Sequence, residues 1–462
     1  MNHKMFSLFQ WIRKLSGDRP EAPAPAAAGG MESAIEQWAR MYRGGEAGSL
    51  GLPATIAAEF ARLVTLEMRV NLSGSPRADF LSAQLRNFLS GIRVYAEYGC
   101  ALGGVVFKPY ACNDAHGKSI SRIVVDAVQA DCFIPTAFDT SNRMTGAIFI
   151  DQLERDGRLF TRLEKHEYAA GRHTVTNRAF AAPARGTAGS QNDFTPVSLS
   201  AVPEWAALEP EMTVNNVDRP LFAYFRVPFA NPIDRRSPLG VSVFSRAAAQ
   251  IADADAQYAR LMWEFEGGEL AVDAEEGFVL DGAYPGGLGR GGGPLPKNRA
   301  RLFRGVCSSE RDFYRVFSPA LRDASLLNGF NAILRMIEWQ CGLVYGTLSD
   351  PRLAERTAQE VKASRQRSYA AVLDIQYSLQ YALDDLIYAM NALATLYGMA
   401  PEGEIDAAYE WDDSIIVDPE SWVEGMRRDT EIGLLRPELY IAKKYGVTLA
   451  QAANMMGEEV KK

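Results

Sequence analysis

The chain has 462 residues, 47% of them hydrophobic and 23% charged, with a formal net charge of −8. That length allows about two to four domains, and that composition excludes a disordered or fibrous chain. No run approaches the roughly 18 apolar residues of a membrane helix, and the acidic balance is the wrong sign for gripping nucleic-acid phosphates through a basic face.

Residues 1–17, MNHKMFSLFQWIRKLSG, place Met5, Phe9 and Ile12 on one stripe and predict a short surface helix. They lack a long apolar core and a cleavage site, so no secretory signal is expected. A Pro/Ala-rich linker follows over 18–30. Pro53 suits a first helical turn, with Ile56, Phe60, Leu63 and Val64 at helical spacing behind it. Leu81, Leu85, Phe88, Leu89 and Ile92 predict another helix over Ala78–Tyr98, stopped at Gly99.

From Gly103 to about Phe229 the period changes to that of strands. VVFKPY, SRIVVDAV, AIFIDQL, RLFTRLEKHEY, HTVTNRAF and PLFAYFRV are short β-rich runs, and Asp156-Gly157 is a hairpin signal between two of them. An antiparallel meander with the preceding helices predicts an α+β domain. His166 and His173 straddle a hairpin loop and are expected to face solvent.

Ser237-Pro238 marks a boundary. From Val241 to Glu266 the chain reads as one long helix, with Phe244, Ile251, Tyr258 and Phe265 recurring every seven residues. Residues 268–319 hold short strand-like pieces around a Gly-rich stretch. Helix resumes at Leu321, with Leu326, Phe330, Ile333 and Ile337 on one face. After a break at Gly342–Pro351, the stripe Tyr369, Val372, Ile375, Leu379, Leu383, Leu386 and Met390 predicts a long buried helix over Leu353–Tyr397, ended by Gly398. IDAAYEWDDSIIV reads as a strand, and 418–462 as two or three short helices.

Chemistry-bearing motifs are sparse. Gly287, Gly289 and Gly292 match G-x-G-x-x-G, but prolines flank the run and no helix opens on it, so a loop tip is expected there. The GKS run at 117–119 has Cys112 where a phosphate loop needs its first glycine. Asp412 and Asp413 fit a solvated turn. The five cysteines (Cys100, Cys112, Cys132, Cys307, Cys341) form no CxxC pair and the histidines number four, so neither a zinc site nor a disulfide framework is expected, and a reducing cytoplasmic setting fits. No catalytic constellation and no cofactor are expected. The alternative kept open is a nucleotide-dependent enzyme using the Gly287–Gly292 loop or the GKS run. Two basic stretches stand out against the acidic whole: KNRARLFR (Lys297, Arg299, Arg301, Arg304) and PRLAERTAQEVKASRQR, whose five bases (Arg352, Arg356, Lys362, Arg365, Arg367) outnumber Glu355 and Glu360.

The order of longer stretches carries more. LGLPATIAAEFARLVT, YAEYGCALGGVVFKPY, VQADCFIPTAFD, DRPLFAYFRVPFANPIDRRSPLGVSVF, LMWEFEGGELAVD, VFSPALRDASLLNGFNAILRMIEWQCGL, YGTLSDP and AYEWDDSIIVD together resemble the portal proteins of tailed double-stranded-DNA bacteriophages, of the siphophage and prophage type of Gram-positive hosts. The resemblance spans about Met31 to Gly446. It implies an α+β portal fold: an N-terminal helix and linker (1–30), a wing (31–240), a first stem helix (241–267), an inserted α/β clip (268–319), a second stem helix (320–343), a tunnel loop (344–352), a wing-crossing long helix and strand (353–417), and helical crown (418–462). It further implies a ring of about twelve subunits at one vertex of a virion, assembled in the bacterial cytoplasm. Its implied partners are passing double-stranded DNA, a terminase large subunit, major capsid and scaffolding proteins, and a head–tail adaptor, with no membrane. Val344, Tyr345, Thr347, Leu348, Ser349 and Arg352 would then face DNA from the tunnel loop, and Lys297, Arg299, Arg301 and Arg304 would serve clip docking. Asp253, Asp255, Glu264 and Glu266 would line a weakly repulsive tube, since a channel for sliding DNA must avoid tight phosphate contacts.

Overall fold

A computed structural model describes residues 28–44, 48–113, 120–183, 194–275, 303–306, 314–351, 358–411, 419–445, 447 and 449–455. Their fold is α+β in two compact units: residues 1–44, 53–245 and 358–462 belong to one, and 45–52 with 246–357 to the other.

The larger unit opens with α1 (Ala28–Arg43), which takes in the last residues of the expected linker, and α2 (Leu52–Val64). A strand that periodicity did not flag, β1 (Arg69–Ser73), comes next. Ser75 then caps α3 (Pro76–Ser90): its hydroxyl oxygen accepts from Ala78 N at 3.3 Å, and Pro76 occupies the first turn, where no N–H is needed. The single helix expected over Ala78–Tyr98 is instead two, α3 and α4 (Ile92–Leu102), broken at Gly91. The Tyr95 ring, stacked on Phe88 at 5.1 Å, lies against Gly91 where a Cβ would stand 3.0 Å from it. The expected stop at Gly99 is passed, and Gly103 ends α4 at φ 87°.

Strands β2 (Gly104–Asn113) and β3 (Ile120–Gln129) pair antiparallel, and β10 (Ala223–Arg226) adds to the other edge of β2. This small sheet carries the aromatic core: Phe107 meets Phe88 edge-on at 4.9 Å and stacks on Phe225 at 6.3 Å. Gly103 and Gly240 lie back to back here, each with the other's carbonyl within 2.5 Å of where its Cβ would be. Only glycine permits that approach.

The second sheet is a meander in the order β4 (Phe133–Phe138), β5 (Met144–Arg155), β6 (Arg158–Ala169), β7 (Arg172–Pro183), with β8 (Thr195–Val197) and β9 (Glu211–Asn215) sharing the outer edge of β7. The expected turn at Asp156-Gly157 joins β5 to β6 with φ 51° and 69°, and Ala170-Gly171 joins β6 to β7 with φ 49° and 76°. Positive φ at both central residues is the turn that matches strand twist. Ile134, Ile148, Leu163 and Phe180 form this sheet's own cluster.

The long helix, α7 (Ala358–Leu396), runs in this unit. Val372, Ile375, Leu379, Leu383, Leu386 and Met390 are all fully buried, as the stripe predicted. Its C-terminal end is fastened by Arg77, which is buried and donates to the carbonyls of Asn391, Ala400 and Pro401 and to the side chains of Asn391 and Thr395. Strand β14 (Asp406–Glu410) pairs antiparallel with β1. Three helices follow: α8 (Pro419–Glu431), α9 (Pro437–Tyr445) and α10 (Leu449–Met455).

In the smaller unit, helix α5 (Ala248–Gly267) starts seven residues later than the Val241 boundary. Ser242 is the reason: its hydroxyl accepts from Phe244 N and its carbonyl from Ser245 N, and a 3-10 turn over Ser245–Ala247 leads into the helix. Phe244 therefore packs as a buried residue ahead of the helix rather than on it. Strand β11 (Ala271–Glu275) is the centre of a three-stranded sheet, parallel to β12 (Phe303–Val306) and antiparallel to β13 (Tyr314–Phe317). Helix α6 (Asp323–Cys341) returns antiparallel to α5, with Arg322 bound to Glu264 near one end and Tyr258 against Phe330 at 6.0 Å in the middle.

Candidate functional site

The helix–sheet–helix unit ends in a loop, 342–351, built on its last helix. Gly342 terminates α6 at φ 80°, and its N–H and that of Leu343 both return to Glu338 O. The chain then folds back over the face of α6 that carries Asn331 and Glu338, which are seven residues apart and so two turns along one face. Both are buried. Glu338 Oε1 accepts from the backbone N–H of Gly346 (3.0 Å), Leu348 (2.7 Å) and Ser349 (2.8 Å), and Oε2 accepts from the Ser349 hydroxyl (2.8 Å). Asn331 Oδ1 accepts from Asp350 N at 2.8 Å. Nothing in the sequence marked Glu338; in EWQCG it reads as one more surface acid.

Five of the six loop residues singled out in the sequence are thus on one turn. Thr347 is exposed, its hydroxyl donating to Val344 O at 2.6 Å; Val344, Tyr345 and Leu348 are half-buried, and Ser349 is turned inward. Arg352 lies outside the described residues.

The four acids of α5 do not form one stripe. At about 100° per residue, Asp253 and Glu264 fall on one side of the helix and Asp255 and Glu266 on the opposite one. Glu264 is neutralised: Arg322 donates to it through Nε (3.1 Å), Nη2 (2.6 Å) and its backbone N (3.0 Å), and these bonds hold the carboxyl down at about 2. Asp255 accepts from Leu50 N at 2.9 Å, leaving Asp253 and Glu266 as the exposed acids of the set. Large apolar side chains are exposed on both helices as well. Trp263 on α5 is 66% exposed and Trp339 on α6 is 54%, with Met262, Phe265, Leu327 and Met336 also open. Lys297, Arg299 and Arg301 lie outside the described residues, as do Gly287, Gly289, Gly292, the GKS run, Asp412, Asp413 and Cys307. Arg304 falls on β12.

The larger unit overturns the expectation for the histidines. His166 on β6 and His173 on β7 are buried diagonal neighbours on the inward face of the sheet, because the turn between those strands lies beyond them at Ala170-Gly171. Leu221 N donates to His173 Nδ1 (3.4 Å), which leaves the His173 proton on Nε2, 3.0 Å from His166 Nδ1; His166 Nε2 then donates to Glu164 Oε1 at 2.8 Å. A proton added to either ring would face an N–H. Burial accordingly drives both histidines below their ordinary value, His173 to about 3, while the bond to Glu164 partly opposes it at His166. Burial alone would raise Glu164, but His166, Lys108 (2.8 Å) and Arg162 (3.1 Å) outweigh it and hold the carboxylate well below its usual range.

A cleft of about 270 Å3 opens beside Phe222, lined by Arg143, Arg219, Arg226, Tyr381, Asp384 and Asp385. Its charges are mutually engaged: Arg219 lies 2.9 Å and Arg143 3.6 Å from Asp385, and Tyr409 donates to Asp384 at 2.6 Å. Among the described residues no group of three or more His, Cys, Asp or Glu could hold a metal ion, and no helix is long and apolar enough to cross a membrane.

No family model matches the chain, and no curated protein matches it. Among solved structures, the chain is similar to one described as "Neck of native GTA particle computed with C12 symmetry", with 14% identity, 89% of this chain and 94% of that chain covered, and a TM-score of 0.42.

Proposed function

We propose that this protein is a portal: a ring-forming component at one vertex of a phage-like particle, whose channel passes double-stranded DNA during packaging and ejection. The observation that carries the reading is the smaller unit, an antiparallel helix pair whose connection is a three-stranded sheet and whose second helix ends in an anchored loop. In this reading α5 and α6 are the stem, the sheet is the clip, the Glu338-anchored loop faces the channel, and the larger unit is the wing. Open tryptophans on both helices support it, because a two-helix layer leaves apolar surface that neighbouring copies around a ring would cover. Glu264 and Asp255 are engaged, and whichever of the oppositely placed Asp253 and Glu266 faces the channel suits a wall that does not hold DNA phosphate. The terminase large subunit, a head–tail adaptor, and major capsid and scaffolding proteins are the partners proposed for it, and the energy for translocation would come from the terminase.

Negative-stain microscopy with solution mass tests the reading. A ring with a central hole, on the order of 600 kDa for about twelve copies of 50.8 kDa, is expected. A monomer or dimer at every salt concentration would overturn it.

A further inference from the structure

The loop after α6 holds a carboxylate where a backbone anion site would hold a phosphate. Three amide N–H groups, from Gly346, Leu348 and Ser349, converge on a single oxygen of Glu338, and the Ser349 hydroxyl meets the other. Such convergence is how backbone concavities bind the oxygens of phosphate. None of these four donors is a cationic side chain, and the carboxylate is completely buried beneath the loop. The acceptor belongs to the preceding helix, so it is present at every moment and needs no ligand to arrive. A buried anion left without these donors would be costly, and buried amides left without an acceptor likewise, so each side enforces the other.

We infer that Glu338 is a resident anion: it holds 346–349 in one conformation and withholds the loop amides from nucleic-acid phosphate. The anchoring stands on geometry alone; its consequence for DNA rests on the portal reading, in which this loop faces the channel. A loop that slides along DNA must be ordered and must not bind the backbone it passes, and one buried carboxylate achieves both. The exposed Thr347 has its hydroxyl engaged with Val344 O, which adds to the same effect.

Hydrogen exchange read by mass spectrometry on the full-length wild type, Glu338→Ala and Glu338→Gln tests this. Exchange across Gly346–Ser349 should accelerate at least about tenfold in Glu338→Ala, since charge-assisted bonds to three amides are lost. Inorganic phosphate should slow that exchange again in Glu338→Ala and leave the wild type unchanged. Glu338→Gln, which keeps a neutral acceptor, should fall between the two and serves where the alanine variant does not fold. Unaccelerated exchange in the alanine variant, or in the glutamine variant standing in for it, overturns the anchor. Accelerated exchange that phosphate does not slow, or phosphate protection of the wild type, overturns the resident-anion role. A short DNA duplex should bind the faster-exchanging variant several-fold more tightly than wild type, and equal affinity overturns the exclusion of DNA. Exchange requires no DNA or other particle component, so the anchor and the ring reading fail separately.

Discussion

Arg77 shows how much one side chain can hold. Its guanidinium is buried and satisfied by carbonyls and side chains at the end of α7, where helix carbonyls carry partial negative charge. Arg77→Ala should cost about 3 kcal/mol in denaturant unfolding by leaving those acceptors unpaired, and Arg77→Lys should recover little of it because a point charge cannot reach a fork of partners. An unchanged midpoint for Arg77→Ala would contradict this. The histidine pair makes a pH prediction. Both are held below their ordinary value of 6.5 by burial, so below that pH the unfolded chain binds more protons and stability falls as pH drops, for His173 from 6.5 toward about 3. For His173 the slope approaches about 1.4 kcal/mol per pH unit inside that window, and His166 adds a loss in the same direction. Glu164, depressed in the fold, loses its contribution in the same direction at lower pH, as protons compete with His166, Lys108 and Arg162. Thermal unfolding from pH 7.5 to 4.5 should show the loss, and His173→Gln should flatten it; parallel curves for the two proteins would exclude the pair as its source.

At the scale of elements, periodic patterns were legible and pairings were not. The buried stripe of α7, the turn at Asp156-Gly157 and the helix–sheet–helix order could be read directly, because each is local and repeats with the geometry of its element. The pairing of β1 with β14 joins residues more than 300 positions apart and left no local trace. The break at Gly91 escaped notice because the apolar spacing continues through it; the fold shows it, with the Tyr95 ring lying over that residue. The β6–β7 turn offers an element-scale test. Ala170 sits at φ 49°, a conformation that asparagine tolerates better. Ala170→Asn should raise stability by about 0.5–1 kcal/mol in chemical denaturation, while Gly240→Ala, facing the Gly103 carbonyl, should lower it by more. A neutral Gly240→Ala would show that the approach of those two glycines is relaxed in solution.

For the whole molecule, the exposed aromatic faces of α5 and α6 bear on assembly. On the portal reading, Trp263→Glu with Trp339→Glu should shift the solution mass from the proposed ring to monomer while leaving far-UV circular dichroism unchanged, because both side chains are open in the single chain. Rings that persist in the double variant would mean that other surfaces hold the assembly. The chain's order of stretches, its amphipathic stripes and its acid-rich balance were set by sequence alone, since each depends only on which residues follow which. The sequence also placed the loop at 342–351, between two helices it could delimit. Only the tertiary structure decided what that loop is made of. Glu338, Asn331 and the amides of 346–350 become one site when the chain turns back at Gly342, just as His166 and His173 become one buried pair when β6 meets β7. Burial and hydrogen bonding belong to positions in space, and a charged or polar residue carries no local signal of whether the fold will bring donors to it.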